Sequence, residues 1–168
     1  MDINRVPPLH LDDNPTNCCP RFHPEDWEGL TLHFRDKPFV RATVAEAMHI
    51  PLNMGTVFTR VMAHIDAAKS AETDDFIVLS RDVSPWKGEH FFAVTGDVPD
   101  EEMTAISGDF VTKVFEGPYA QAGTWFKEMA ALAAENGKPE DSVWFYYTTC
   151  PKCAKVYGKN YVVGLAEV

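Results

Sequence analysis

The chain contains no apolar run near the roughly 20 residues that a membrane-crossing helix requires. Met1 to Asn17 likewise lacks a run of the length a secretory signal needs. The expectation is a cytoplasmic protein with no membrane partner. Basic residues are scarce, 15 Lys and Arg against 25 Asp and Glu, for a formal net charge of -10. Nucleic-acid partners are excluded on that ground, because phosphate backbones demand a basic face. Neither a phosphate-cradling glycine loop nor a Ser-His-Asp signature is present. Cysteine is limited to Cys18, Cys19, Cys150 and Cys153. In a reducing compartment these stay thiols unless they hold a metal.

What is present fits one globular domain: 168 residues, 45% hydrophobic and 12% aromatic, enough to bury a core without covalent staples. The acidic surplus favours cationic ligands through the long-range field, although such surfaces more commonly serve solubility.

The most informative stretch is Thr112 to Phe126. Val111, Lys113 and Phe115 alternate with Thr112, Val114 and Glu116, which is strand periodicity. Gly117-Pro118 interrupts the strand, since proline has no amide to donate. Trp125, Phe126, Met129, Leu132 and Ala133 then fall on one helical stripe. A helix is expected to about Asn136, stopped by a left-handed Gly137. A strand over Ser142 to Thr149, a turn at Cys150-Pro-Lys-Cys153 and a last strand over Asn160 to Val168 follow.

The earlier part of the chain follows the same plan. Phe39 to Ile50 reads equally as helix or strand. Pro51-Leu52-Asn53 opens a helix with Met54, Val57, Phe58, Val61, Met62 and Ile65 on one stripe and Asn53 as its N-cap. A strand around Phe76 to Leu79, a Ser84-Pro85 turn and a returning strand over His90 to Thr95 complete it. Gly55-Thr56-Val57-Phe58 answers Gly123-Thr124-Trp125-Phe126, and the Ser84-Pro85 turn answers Cys150-Pro151. The expected fold is therefore α+β: two strand-helix-strand-strand units forming a mainly antiparallel sheet, with two helices on one face. Residues 1–39, rich in proline, form an irregular arm, and residues 40–168 form the domain.

Two helices cover one face of such a sheet, yet the strand at Ser142 to Thr149 is aromatic on both. Trp144 and Tyr146 point one way, and Phe145 and Tyr147 the other. The second face needs a cover: the arm with Phe22 and Trp27, a partner subunit, or a ligand. On the ligand reading, Trp86, Phe145, Tyr147 and Tyr161 wall a cleft for a hydrophobic small molecule, and the protein is a monomer or homodimer.

Val114-Phe115-Glu116-Gly117-Pro118-Tyr119, the helix with Trp125-Phe126 and the tyrosine-rich strand resemble the GyrI-like small-molecule-binding family, the effector-binding domain of multidrug-sensing activators. The resemblance covers roughly Val40 to Val168. It implies stand-alone binding of hydrophobic, often cationic, xenobiotics in an aromatic-lined cleft, and some members are similar to hydrolases of reactive cyclopropanes. This chain has no DNA-binding segment, and its last strand offers only Glu167 where the family carries a buried acid.

Within that frame Glu116 and Tyr147 are the catalytic candidates, orienting water, with Glu116 also a cation anchor. Against this, Glu116 beside a helix start is ordinarily a solvated acid. His49 and His90 have no Ser, Cys or acid at readable spacing and are read as structural. Cys18, Cys19, Cys150 and Cys153 have the count of a structural zinc site, and zinc is the cofactor they would hold. Redox chemistry at CxxC is disfavoured, because too little chain follows it for a thioredoxin-like fold. The alternative function is a zinc-stabilised interaction protein whose cleft is filled by its own arm.

Overall fold

The computed structural model describes residues 1–168. The protein is α+β, and its sheet is mainly antiparallel. The chain divides into two compact units, one of residues 36–107 and one of residues 1–35 with 108–168. Two long strands, β1 (Thr31–Ala47) and β5 (Glu102–Glu116), run from one into the other.

The 36–107 unit adds β2 (Ile50–Pro51), α1 (Met54–Ala67), β3 (Val78–Ser84) and β4 (Lys87–Ala93), with strand order β2-β1-β4-β3. The ambiguous Phe39 to Ile50 stretch is strand as far as Ala47, because Val40, Ala42 and Val44 alternate onto a buried face. On α1 the expected stripe is buried. Val57, Val61 and Ile65 pack with Val40, Val44 and Phe92, while Met54, Phe58 and Met62 flank them. Asn53 stands at the N-cap position, but its side chain caps nothing there. Its Oδ1 instead accepts from the Ala45 amide at 2.9 Å, tying the helix entry to β1.

The other unit holds β5, α2 (Ala122–Glu135), β6 (Val143–Tyr147), α3 (Pro151–Tyr157) and β7 (Tyr161–Glu167), with strand order β6-β7-β5. In both units, then, the last strand lies between the first and the middle one. Trp125, Met129 and Ala133 of α2 pack on Phe115, Val143, Phe145 and Val162. Phe126, placed on the same stripe by spacing, is exposed instead. Gly164 in β7 lets the helix lie close, since a Cβ there would come within 2.7 Å of Met129 Cγ. At the helix end Gly137 is left-handed, φ 74°. The amides of Gly137 and Lys138 return to Ala134 and Ala133, satisfying carbonyls that have no intrahelical partner.

Two expectations need correction, and one choice left open among alternatives is decided. Cys150 to Cys153 is not a hairpin turn: Pro151 begins α3, a position where proline's missing amide costs nothing. It therefore does not answer Ser84-Pro85, which does lead into a hairpin. The irregular arm ends earlier than residue 39, because β1 starts at Thr31. Finally, the face of β6 opposite α2 is covered by the arm. Trp27 lies 5.2 Å from Tyr146 between ring centroids, and Phe22 lies 5.6 Å from Tyr161.

Candidate active site

Ala47 pairs with Ile50, so β1 and β2 are joined by the two residues Met48 and His49. Both are left-handed, with φ 50° and 66°. Two-residue hairpins favour positive φ at both central positions because that twist suits the strands, and Asn-Gly normally supplies it. A methionine and a histidine hold it at a cost of roughly 1–3 kcal/mol each, and strain of this kind concentrates at functional positions. The neighbouring β3–β4 turn supports it. The His49 amide donates to Pro85 O at 2.9 Å, and the Glu46 amide to Trp86 O at 2.8 Å.

The two turns thereby assemble three titratable side chains. His49 Nδ1 lies 2.6 Å from Asp82 Oδ2, and the Glu46 carboxyl is within 4.8 Å of both. Glu46 is 7% exposed. Its Oε2 is buried with no hydrogen-bond partner. Burial, and then the negative charge of Asp82, push its carboxyl pKa up. His49 and Asp82, by contrast, are about half exposed, 53% and 49%. The same two turns present Met48, Ile50, Leu52, Val83 and Trp86 to solvent. The result is an imidazole oriented by a carboxylate, backed by an acid that burial holds toward its neutral form, in an apolar surround. Such a group is equipped to take a proton from water.

Elsewhere the fold gathers the four cysteines, with all Sγ atoms within 4.8 Å of one another. Burial pushes the Cys19 thiol up to about 12. A third cluster joins His10, His23 and Asp26, where the two imidazoles stack at 3.8 Å and His10 Nε2 is 2.6 Å from Asp26. That pairing raises the His10 pKa.

A family model described as bacterial hydrolase matches residues 9–168. The chain belongs to the bacterial hydrolase family. No curated protein matches it. The matched span includes the arm from Leu9 onward, both cysteine pairs and the Glu46-His49-Asp82 cluster.

The residues singled out from the sequence are scattered over it. Phe145 is buried beneath α2 and walls no open cleft. Tyr147, on the same face of β6 but beyond the helix, is partly exposed and faces Tyr119 at 5.8 Å. Tyr161 pairs with Glu116 across β7 and β5. Glu116 itself is solvated and lies 3.8 Å from Lys159 Nζ, the arrangement of a strand-end acid. Trp86 belongs to the other unit and is the one candidate that stands at the acid–base cluster. His49, read as structural for want of an acid at readable spacing, has a carboxylate partner in Asp82. The missing signal was spatial: Asp82 is 33 residues away and arrives through a second hairpin.

Proposed function

We propose that the protein is a hydrolase of hydrophobic small molecules, with His49 as general base and the exposed Met48, Leu52 and Trp86 as the apolar seat of the substrate. The carrying observation is the 2.6 Å His49–Asp82 hydrogen bond, held in a strained turn beside buried Glu46. The family membership supports it. In the step, His49 Nε2 accepts a proton from water as the water oxygen bonds to an electrophilic carbon of the substrate. The bond from that carbon to the leaving group, an ester oxygen or a strained-ring atom, breaks with its electron pair going to the departing atom. The imidazolium returns the proton to that atom. Asp82 accepts the Nδ1–H bond and stabilises the imidazolium that forms. Glu46 touches no substrate in this scheme. It positions Asp82, and because burial favours its neutral form it adds little negative charge beside it. The shared strand order of the two units supports a duplicated strand-helix-strand-strand module of the GyrI-like kind, whose ligands are likewise hydrophobic.

The test is hydrolysis of hydrophobic aryl esters and strained-ring electrophiles. For a substrate that the wild-type protein turns over, His49→Gln should lower kcat about 10²–10⁴-fold at unchanged melting temperature, and Trp86→Ala should raise KM. Wild-type rates in both His49→Gln and Asp82→Asn would overturn the assignment.

A further inference from the structure

We infer that Cys18, Cys19, Cys150 and Cys153 form a mononuclear zinc tetrathiolate that clasps the N-terminal arm to α3 and so builds the aromatic cavity beside it. This site is separate from the hydrolytic one. Zinc binds thiolate sulfur at about 2.3 Å in tetrahedral array, which places sulfurs on an edge of about 3.8 Å. Cys18 Sγ and Cys19 Sγ stand 3.8 Å apart, and all four sulfurs fit within 4.8 Å. That is room for one ion, whereas a multi-iron cluster would hold its cysteine sulfurs farther apart.

The surroundings are those of ligating sulfur. The Cys153 amide donates to Cys150 Sγ at 3.5 Å, and the Cys150 amide donates to Cys19 Sγ at 3.4 Å. Outer hydrogen bonds of this kind orient metal ligands and stabilise their charge. Adjacent cysteines in an extended chain diverge, but Cys18 and Cys19 sit in a closed loop. The Cys18 amide bonds Asn14 Oδ1 at 3.2 Å, and Tyr157 Oη donates to Cys19 O at 2.6 Å. Thr16 Oγ1 lies 3.2 Å from Tyr157 Oη, completing the link between arm and helix. With four protein ligands the ion keeps no open position for water, so its role is structural.

The consequence reaches a cavity of about 140 Å³ lined by Arg21, Phe22, Thr149, Tyr157, Lys159 and Tyr161. Each of these follows or precedes a ligating cysteine by a short stretch of chain. Zinc thus fixes both walls at once, joining segments 131 residues apart in sequence.

Protein purified under reducing conditions without chelator should carry about one zinc per chain by mass spectrometry of the metals. Its thiols should resist Ellman's reagent until a chelator is added, and chelation should lower the melting temperature reversibly. Cobalt exchange should give the intense visible bands of a tetrahedral thiolate site. Cys153→Ser should lose the metal. His49→Gln should retain it, which separates this site from the proposed hydrolytic one. Absence of stoichiometric metal together with no cobalt bands, a Cys150–Cys153 disulfide under reducing conditions, or stoichiometric iron in place of zinc would each overturn the inference.

Discussion

Gly88 of β4 lies against the carboxyl of Glu46, close enough that a Cβ built on Gly88 would collide with Oε1. Gly88 pairs with Val44 across β1 and with Asp82 across β3. A bare backbone at this one position is therefore what allows a buried glutamate to stand beside Asp82.

Gly88→Ala should destabilise the protein by about 1–3 kcal/mol, the usual cost of overpacking a filled site, and should lower turnover by displacing Glu46. In a Glu46→Ala background the collision partner is gone, and Gly88→Ala should be close to neutral. A double-mutant cycle in urea checks this. Equal costs in the two backgrounds would show that the carboxyl is not what the glycine accommodates.

His90 should make stability pH-dependent in a defined window. Its Nδ1 bonds Ser80 Oγ at 2.7 Å, its Nε2 is buried without a partner, and burial lowers its pKa from 6.5 to about 4. Between those values the unfolded chain binds a proton that the folded one refuses. Stability is thus full above about 6.5 and falls as pH drops toward 4, by roughly 3 kcal/mol if the whole depression is realised. Denaturant melts across this range should show the loss, and His90→Gln should flatten it. Carboxylates held low by cationic partners, such as Glu89 beside Arg41, begin to lose their contribution near the ordinary value of 4.5, at the acid end of this window, and go on losing it below.

Trp125→Ala should cost roughly 3–5 kcal/mol, and Phe58→Ala, whose ring is only partly buried, less. Trp125 is buried and stacks on Phe115 at 5.4 Å. Phe58 meets Phe92 edge-on at 4.8 Å and His90 at 5.1 Å. Phe126→Ala, on the exposed side of α2, should cost far less. Thermal melts of the three variants decide whether the packing faces of α1 and α2 are as described.

Periodicity alone carried α1, α2 and most strands, but not α3, because a 3.6-residue stripe or a two-residue alternation is a local property of burial on one face. Val57, Val61 and Ile65 announce α1, Trp125 and Met129 announce α2, and Gly137 announces its end. The α+β class follows from them. What the sequence left open were features made by long-range contact. Met48-His49 resembles no turn, since nothing in either residue favours a left-handed backbone. The β1–β2 pairing and the Pro85 and Trp86 carbonyls, which accept from the His49 and Glu46 amides, hold it there. Whether Phe145 faced a cleft or a helix could not be told from an aromatic run that alternates correctly on both faces; packing under Trp125 and Met129 decided it. The four cysteines could be counted in the sequence, but the meeting of Cys18-Cys19 with Cys150 and Cys153 required the arm to fold back on α3. The pairing of His49 with Asp82 arose in the same way, through two hairpins whose tips are hydrogen-bonded, because chemistry assembled from distant segments has no period to read.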